Sequence, residues 1–182
     1  GVACAWLMGA TRRYMLARAC DLGIAMQLTN MARDIGDDAR LGRIYLPQQW
    51  LRACGVRPDD FIADPYFAAP LAELCARLTA RANTLYQQAD QGLRYLDGSG
   101  RLAISAARLI YAAIHDELHA AGYDSVTRRA FTSRRRKLRE LSRALRFGPQ
   151  RTVIDPESPA AQPLLDAIAP LCLPRRDFIG VL

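Results

Sequence analysis

No segment of this chain comes near the ~18 consecutive apolar residues that a membrane-spanning helix needs, and its opening residues do not read as a secretory signal. Histidine is scarce, with only His115 and His119. They stand one helical turn apart in HDELH, a spacing that mimics the zinc pattern HExxH. Asp116, however, is a methylene short of the usual glutamate base, and no third ligand is in view, so a plain helix surface is the better reading. The five cysteines, Cys4, Cys20, Cys54, Cys75 and Cys172, are odd in number, scattered among apolar residues and never in CxxC spacing, which points to reduced core thiols. GxGxxG is absent too, and Gly98 and Gly100 alone do not make a dinucleotide site. No strand-like alternation competes with helical periodicity, so the class is all-α.

With 51% hydrophobic residues, 182 residues suffice for one domain with a sizeable core. Gly1 is not an initiator methionine, and GVACAWLMG reads as the end of a helix already in progress, so a C-terminal fragment of a longer protein is expected. After a turn near Gly9 and Ala10, one long helix is expected over about 14–38. A small helix at 48–53 follows, opened by Pro47 and closed by Gly55. In the proline-bounded connection RPDDFIADP, Asp60 and Asp64 repeat a DxxxD spacing, which Pro58 and Pro65 deprive of a regular helix. The period of Leu71, Leu74, Cys75, Leu78, Ala82, Leu85, Ala89 and Leu93 predicts a helix over about 66–96, closed by the glycine-rich 97–100. The next runs over 101–121 with Gly122 as its stop, and a basic amphipathic helix occupies about 133–147. Residues 1–147 therefore make the domain. Residues 148–182 form a proline-containing tail of unassigned role, with one short helix expected near 160–171.

The most informative stretch is LGIAMQLTNMARDIGDDARLGRIYLP, from Leu22 to Pro47. Its first part, Leu22 to Ala32, carries no charge, so a helix there is expected to be buried nearly all round. At 3.6 residues per turn Gly23, Gln27, Asn30, Asp34 and Asp38 share one side, a polar stripe that ends in carboxylates. Asp34, Asp37 and Asp38 crowd a helix C-terminus, where the dipole is already negative, and such a cluster calls for a cation. Asp34 and Asp38 at i and i+4 suit a shared Mg²⁺, which takes one or two carboxylates together with waters and phosphates. Arg33, Arg40 and Arg43 carry forks that match phosphate oxygens. The combination describes a diphosphate site, over which a GRIYLP turn folds Arg43 and Tyr45. The competing reading is a solvated helix end whose aspartates simply pair with the arginines.

At these residues the sequence resembles the squalene/phytoene synthase family. Its second aspartate-rich signature is met by Leu22, Gly23, Gln27, Asn30, Arg33, Asp34, Asp38, Arg43, Tyr45 and Pro47, and ARDIGDDARLGRIYLP is most similar to the bacterial phytoene synthases. The resemblance covers about 1–145. It implies the all-α isoprenoid synthase fold with its N-terminal part, and the first aspartate-rich motif, outside this chain. It also implies head-to-head condensation of two geranylgeranyl diphosphates to phytoene, through a cyclopropylcarbinyl diphosphate, in carotenoid biosynthesis. Asp34, Asp38, Arg43 and Tyr45 would then be catalytic. Gly23, Gln27, Asn30, Arg33, Arg43, Tyr111 and Arg128, or Arg129 in place of Arg128, would meet the prenyl diphosphate, and Asp34, Asp38 and Asn30 would hold Mg²⁺, or Mn²⁺ in its place. The alternatives are a squalene or dehydrosqualene synthase using farnesyl diphosphate, and a non-catalytic relative serving as an assembly or lipid-binding factor. With part of the metal site elsewhere, the chain alone is expected to be inactive.

Charge is unevenly spread. Arg128 to Arg151 holds ten cations against Glu140 alone, so this stretch carries +9 of a formal net charge of +7 and the remainder carries −2. Interleaved aromatics are missing there, which argues against nucleic acid. A basic amphipathic helix suits an anionic lipid surface instead, so a cytoplasmic protein with peripheral contact at the inner face of the membrane is expected.

Overall fold

The computed structural model describes residues 2–10, 12–146 and 162–163. Most of the expected tail helix and the 147/148 boundary lie outside them. The described residues form α1 (Val2–Leu7), α2 (Arg13–Arg33), α3 (Ile35–Arg40), α4 (Gln48–Ala53), α5 (Pro58–Ala63), α6 (Ala69–Asp90), a 3₁₀ turn (Leu93–Tyr95), α7 (Gly98–Ala120) and α8 (Arg134–Arg146).

Apolar spacing builds the frame. On α6, Leu71, Leu74, Cys75, Leu78, Ala82, Leu85 and Ala89 recur every three or four residues, and all are buried. Against this face lies α2, whose buried Ala17, Ala25 and Ala32 are small enough to let the two backbones approach. α7 packs on both, and α8 lies on α7. The short α4 and α5 close one end of the bundle, burying Leu51 and Phe61 in a core shared with Val56, Leu118 and Val126.

Several boundaries differ from the periodicity. α6 starts at Ala69 because Ala68 is extended (φ −136, ψ 143), and it stops at Asp90. A Cβ on Gly92 would stand 2.6 Å from Arg18 Cβ, so the chain passes close to α2 before the 3₁₀ turn buries Leu93. Residues 97–100 open α7 rather than close α6: Asp97 is extended, and its carboxylate accepts the Gly100 amide at 2.6 Å. Pro58 begins a real helix, α5, since its missing N–H costs nothing in a first turn. The helix expected over 14–38 breaks at Asp34 (φ −106, ψ 16). There the Gly36 N–H turns to the Ser125 carbonyl (3.0 Å), and the Ala32 carbonyl it forsakes accepts from Cys75 Sγ (3.5 Å). Nor is the Leu22 to Ala32 stretch buried all round: Ala25, Thr29 and Ala32 are, whereas Gln27 is exposed.

Candidate functional site

One side of α2 connects two hollows. Near its start, Ala19, Gly23 and Met26 line an apolar cavity of about 190 Å³, together with Met8 just past α1 and Leu93 and Leu96 beyond α6. Ala19 and Gly23 lack bulk, which leaves that space open. At the far end an open cleft of about 400 Å³ is lined by Asp34, Asp37, Asp38, Arg40, Leu41 and Arg129. At 1.5 Å per residue, Gly23 and Asp34 are about 16 Å apart along the axis, with Gln27 and Asn30 between them.

The cleft is a charge network. Arg33 grips Asp34 with two parallel bonds of 2.8 and 2.6 Å, and Arg129, 95 residues away in sequence, donates to the same carboxylate at 2.8 Å. Burial works to raise the Asp34 carboxyl, but the hydrogen bonds from Arg33 and Arg129 outweigh it and hold it below the ordinary value. The hydrogen bonds to Asp34 raise the Arg33 guanidinium against its burial, and Tyr111 beside it adds to the effect. Asp37 pairs with Arg40 at 3.1 Å and lies 3.6 Å from Arg129. Asp38 is different, because among the described residues its carboxylate has no hydrogen bond or ion pair. Burial and the neighbouring Asp34 raise it, with Arg43 offsetting only part. The GRIYLP turn does come back: Gly42 reverses the chain at φ +71, Arg43 N–H donates to the Asp38 carbonyl at 2.8 Å, and Asp38, Arg43 and Tyr45 line one small hollow. Tyr45 is 53% exposed at its rim.

Of the two arginines expected near the diphosphate, Arg128 is exposed and helps hold the Asp124 carboxyl down, while Arg129 takes the cleft position. Asp37 and Arg40, expected in the acid and arginine cluster, do line the cleft, and Arg129 joins them there. Asp37 and Arg40 carried a signal in the crowding around Asp34, whereas the choice between Arg128 and Arg129 is made by the tertiary fold.

The donor set fits a hard dication. Among the described residues Asn30 Oδ1, one turn ahead of Asp34, is buried with no hydrogen-bond partner, and nothing fully compensates the charge of Asp38. Asn30, Asp34 and Asp38 are the oxygen-bearing side chains that could hold a hard dication such as Mg²⁺ or Mn²⁺, which keeps several waters rather than a closed protein cage. Among the described residues no three His, Cys, Asp or Glu converge to form such a cage. Zinc at HDELH is ruled out by geometry. His115 is buried, with Nδ1 at 2.8 Å from Asn83 Oδ1 and Nε2 at 2.9 Å from Thr29 Oγ1, so neither nitrogen is open to a metal. His119 packs edge-on against Tyr123. Asp60 is paired with Arg57 on the α5 surface, and Asp64 lies beyond the helix end.

A bundle of helices with an apolar cavity towards one end of α2 and an acid- and arginine-lined cleft past the other has the isoprenoid synthase architecture. The chain belongs to the squalene/phytoene synthase family, whose model matches residues 1–142. Phytoene synthase of Cereibacter sphaeroides is 52% identical over 124 residues, covering 68% of this chain and 35% of that protein. That of Rhodobacter capsulatus is 48% identical over 132 residues, covering 72% and 39%. Among solved structures, a dehydrosqualene synthase in complex with ligand matches with a TM-score of 0.61 at 28% identity, over 72% of this chain and 46% of that one. The chain thus spans about a third to a half of the length of these relatives.

Proposed function

We propose that this chain is part of a prenyltransferase that joins two geranylgeranyl diphosphates head-to-head to phytoene, a step of carotenoid biosynthesis. The observation that carries the reading is the α2 side that runs from an apolar cavity to a cleft of unpaired Asp38 and clustered arginines. An apolar chain lies in the cavity, and its diphosphate reaches the cleft. Asp34, Asp38 and Asn30 Oδ1 would hold Mg²⁺ or Mn²⁺, which supplies the charge that stabilises a departing diphosphate. Arg33, Arg43 and Arg129 offer planar forks to its oxygens, and Gln27 orients it. Ionisation of the first diphosphate leaves an allylic cation in the cavity, where the apolar walls exclude water. The double bond of the second chain attacks it, and proton loss gives a cyclopropylcarbinyl diphosphate. A second ionisation, rearrangement and proton loss yield phytoene, while the Tyr111 ring beside Arg33 and Tyr45 at the rim face developing positive charge.

The test uses a polypeptide of its relatives' full length containing this chain. Incubated with geranylgeranyl diphosphate and Mg²⁺, it should release inorganic diphosphate and form phytoene. A C30 product from farnesyl diphosphate alone would move the substrate class to that of the dehydrosqualene synthase neighbour. No diphosphate release from either substrate would make the protein a non-catalytic relative.

Membrane contact is the second part of the reading. No helix among the described residues is long and apolar enough to cross a bilayer. On α8, however, the inner face is ionic: Glu140, 1% exposed, accepts from Arg136 at 2.7 Å and Arg143 at 2.8 Å, and Arg136 also pairs with Asp116 of α7. The outer face carries Leu138 and Leu145, 67% and 65% exposed, with Leu141 beside them and Phe131 just before the helix. Arg134, Arg135, Arg139 and Arg146 are exposed around this stripe. An apolar stripe edged by cations fits an anionic lipid surface, at roughly 1 kcal/mol per surface-adjacent charge. The protein should co-sediment with phosphatidylserine-containing vesicles more than with neutral ones, less so as salt rises, and Leu138→Ser with Leu145→Ser should weaken binding at every salt concentration. Equal and negligible binding to both vesicle types would remove the membrane role.

A further inference from the structure

The break between α2 and α3 is held from outside, by the segment between α7 and α8. Three bonds cross to it: Gly36 N–H to the Ser125 carbonyl (3.0 Å), Arg40 to the Val126 carbonyl (2.6 Å) and Arg129 to Asp34 (2.8 Å). The fit leaves no slack, because a Cβ on Gly36 would overlap the Val126 backbone. This segment has no helix or strand of its own. Its shape rests on Asp124, whose Oδ1 accepts from the Val126 amide (3.0 Å) and the Thr127 amide (2.9 Å), while Oδ2 takes the Thr127 hydroxyl. Tyr123 enters the turn at φ +59. The carbonyls of Ser125 and Val126, which grip α3, are thus aimed by a carboxylate that itself lies outside the cleft.

We infer that residues 123–130 act as a strut that sets the angle between α2 and α3, and hence the placement of Asp38 on α3 against Asn30 on α2. Asp124 is then a positioning residue for the dication and diphosphate, acting through Gly36, Arg40 and Arg129. One helical turn still joins Asp34 and Asp38, since the Asp38 amide donates to the Asp34 carbonyl at 2.8 Å, so what the break re-aims is Asp38 relative to Asn30 on α2. Without the strut, the Gly36 amide returns to the Ala32 carbonyl and this geometry is lost. The inference rests on the proposed function for the role of the two aspartates, but not for the strut itself.

The experiment uses the full-length protein and three variants, with Mn²⁺ binding followed by electron paramagnetic resonance. Asp124→Ala should raise the Mn²⁺ dissociation constant by about tenfold or more, the range found when groups that orient a metal ligand are removed. Turnover should fall in step while the KM for prenyl diphosphate changes less, and hydrogen exchange at the Gly36 amide should accelerate. Asp124→Asn keeps an acceptor oxygen for both amides and should stay within about threefold of wild type on every readout. Wild-type Mn²⁺ affinity and turnover in Asp124→Ala, with only a lower melting temperature, would overturn the inference, as would an Asp124→Asn protein as damaged as Asp124→Ala. Failure of the proposed function looks different: wild type and Asp38→Asn would then bind Mn²⁺ equally poorly, while Gly36 exchange would still report on the strut.

Discussion

Asp38→Asn in the full-length protein should cut turnover by about a hundredfold or more, the scale on which preorganised charge at a departing group contributes, yet leave the fold at least as stable as wild type. The reasoning starts from an imbalance. The Asp38 carboxylate has no ion pair among the described residues, and burial and Asp34 both disfavour its charge. A neutral amide of the same shape removes that repulsion. Asp34→Asn is the control, because it also removes charge from the cleft but strips Arg33 and Arg129 of their shared partner. Arg33 is only 16% exposed, so losing the charge of its carboxylate partner should cost about 1–3 kcal/mol of stability. Thermal melts beside steady-state rates separate the two variants: both lose turnover, and only Asp34→Asn loses stability. Full turnover with unchanged Mg²⁺ dependence in Asp38→Asn would return the cluster to a solvated helix end.

Acid should destabilise the protein through one buried histidine. Burial pushes His115 down from 6.5 to about 4, with Arg108 adding to the effect and Asp116 opposing it. In the unfolded chain the imidazole takes up its proton near pH 6.5, whereas in the folded protein it stays neutral until about pH 4. Between those values the unfolded state binds a proton that the folded state does not, so stability is complete above pH 6.5 and lost as pH falls towards 4. The gap corresponds to roughly 3 kcal/mol. Asp34, Asp97 and Asp124, held below the ordinary carboxylate value, lose their contributions at lower pH still. His115→Leu isolates the histidine. At pH 7 it should cost about 1–3 kcal/mol by orphaning Asn83 and one bond of Thr29. Its urea midpoint should then be nearly flat from pH 6.5 to 4.5 where that of wild type falls. Parallel pH profiles would refute the assignment.

The same residues show what was readable without coordinates. α4 and its Gly55 stop, the buried stripe of α6 and the existence of α7 and α8 were legible because each depends on local periodicity, a proline or a glycine. The signature from Gly23 to Tyr45 was legible as well, since residues one helical turn apart share a face whatever packs around them. Asp97 was misassigned because an aspartate followed by glycines suits a helix end and a helix start equally, and its carboxylate chose the amide ahead. The exposed leucines of α8 were hidden by a Glu140 that three arginines carry to the inner face, against the usual sense of an amphipathic helix.

Sequence by itself determined the helical class, the family and the identity of the acids, because these rest on residue type and spacing along the chain. Tertiary structure decided that α2 breaks at Asp34, that Arg129 rather than Arg128 sits on that carboxylate, and that His115 is a neutral core residue. Each of these is settled by a partner distant in sequence: Ser125 for Gly36, Asp34 for Arg129, Thr29 for His115. A hydrogen bond that can be made equally well along the chain or across it is assigned only when packing brings the second partner within reach.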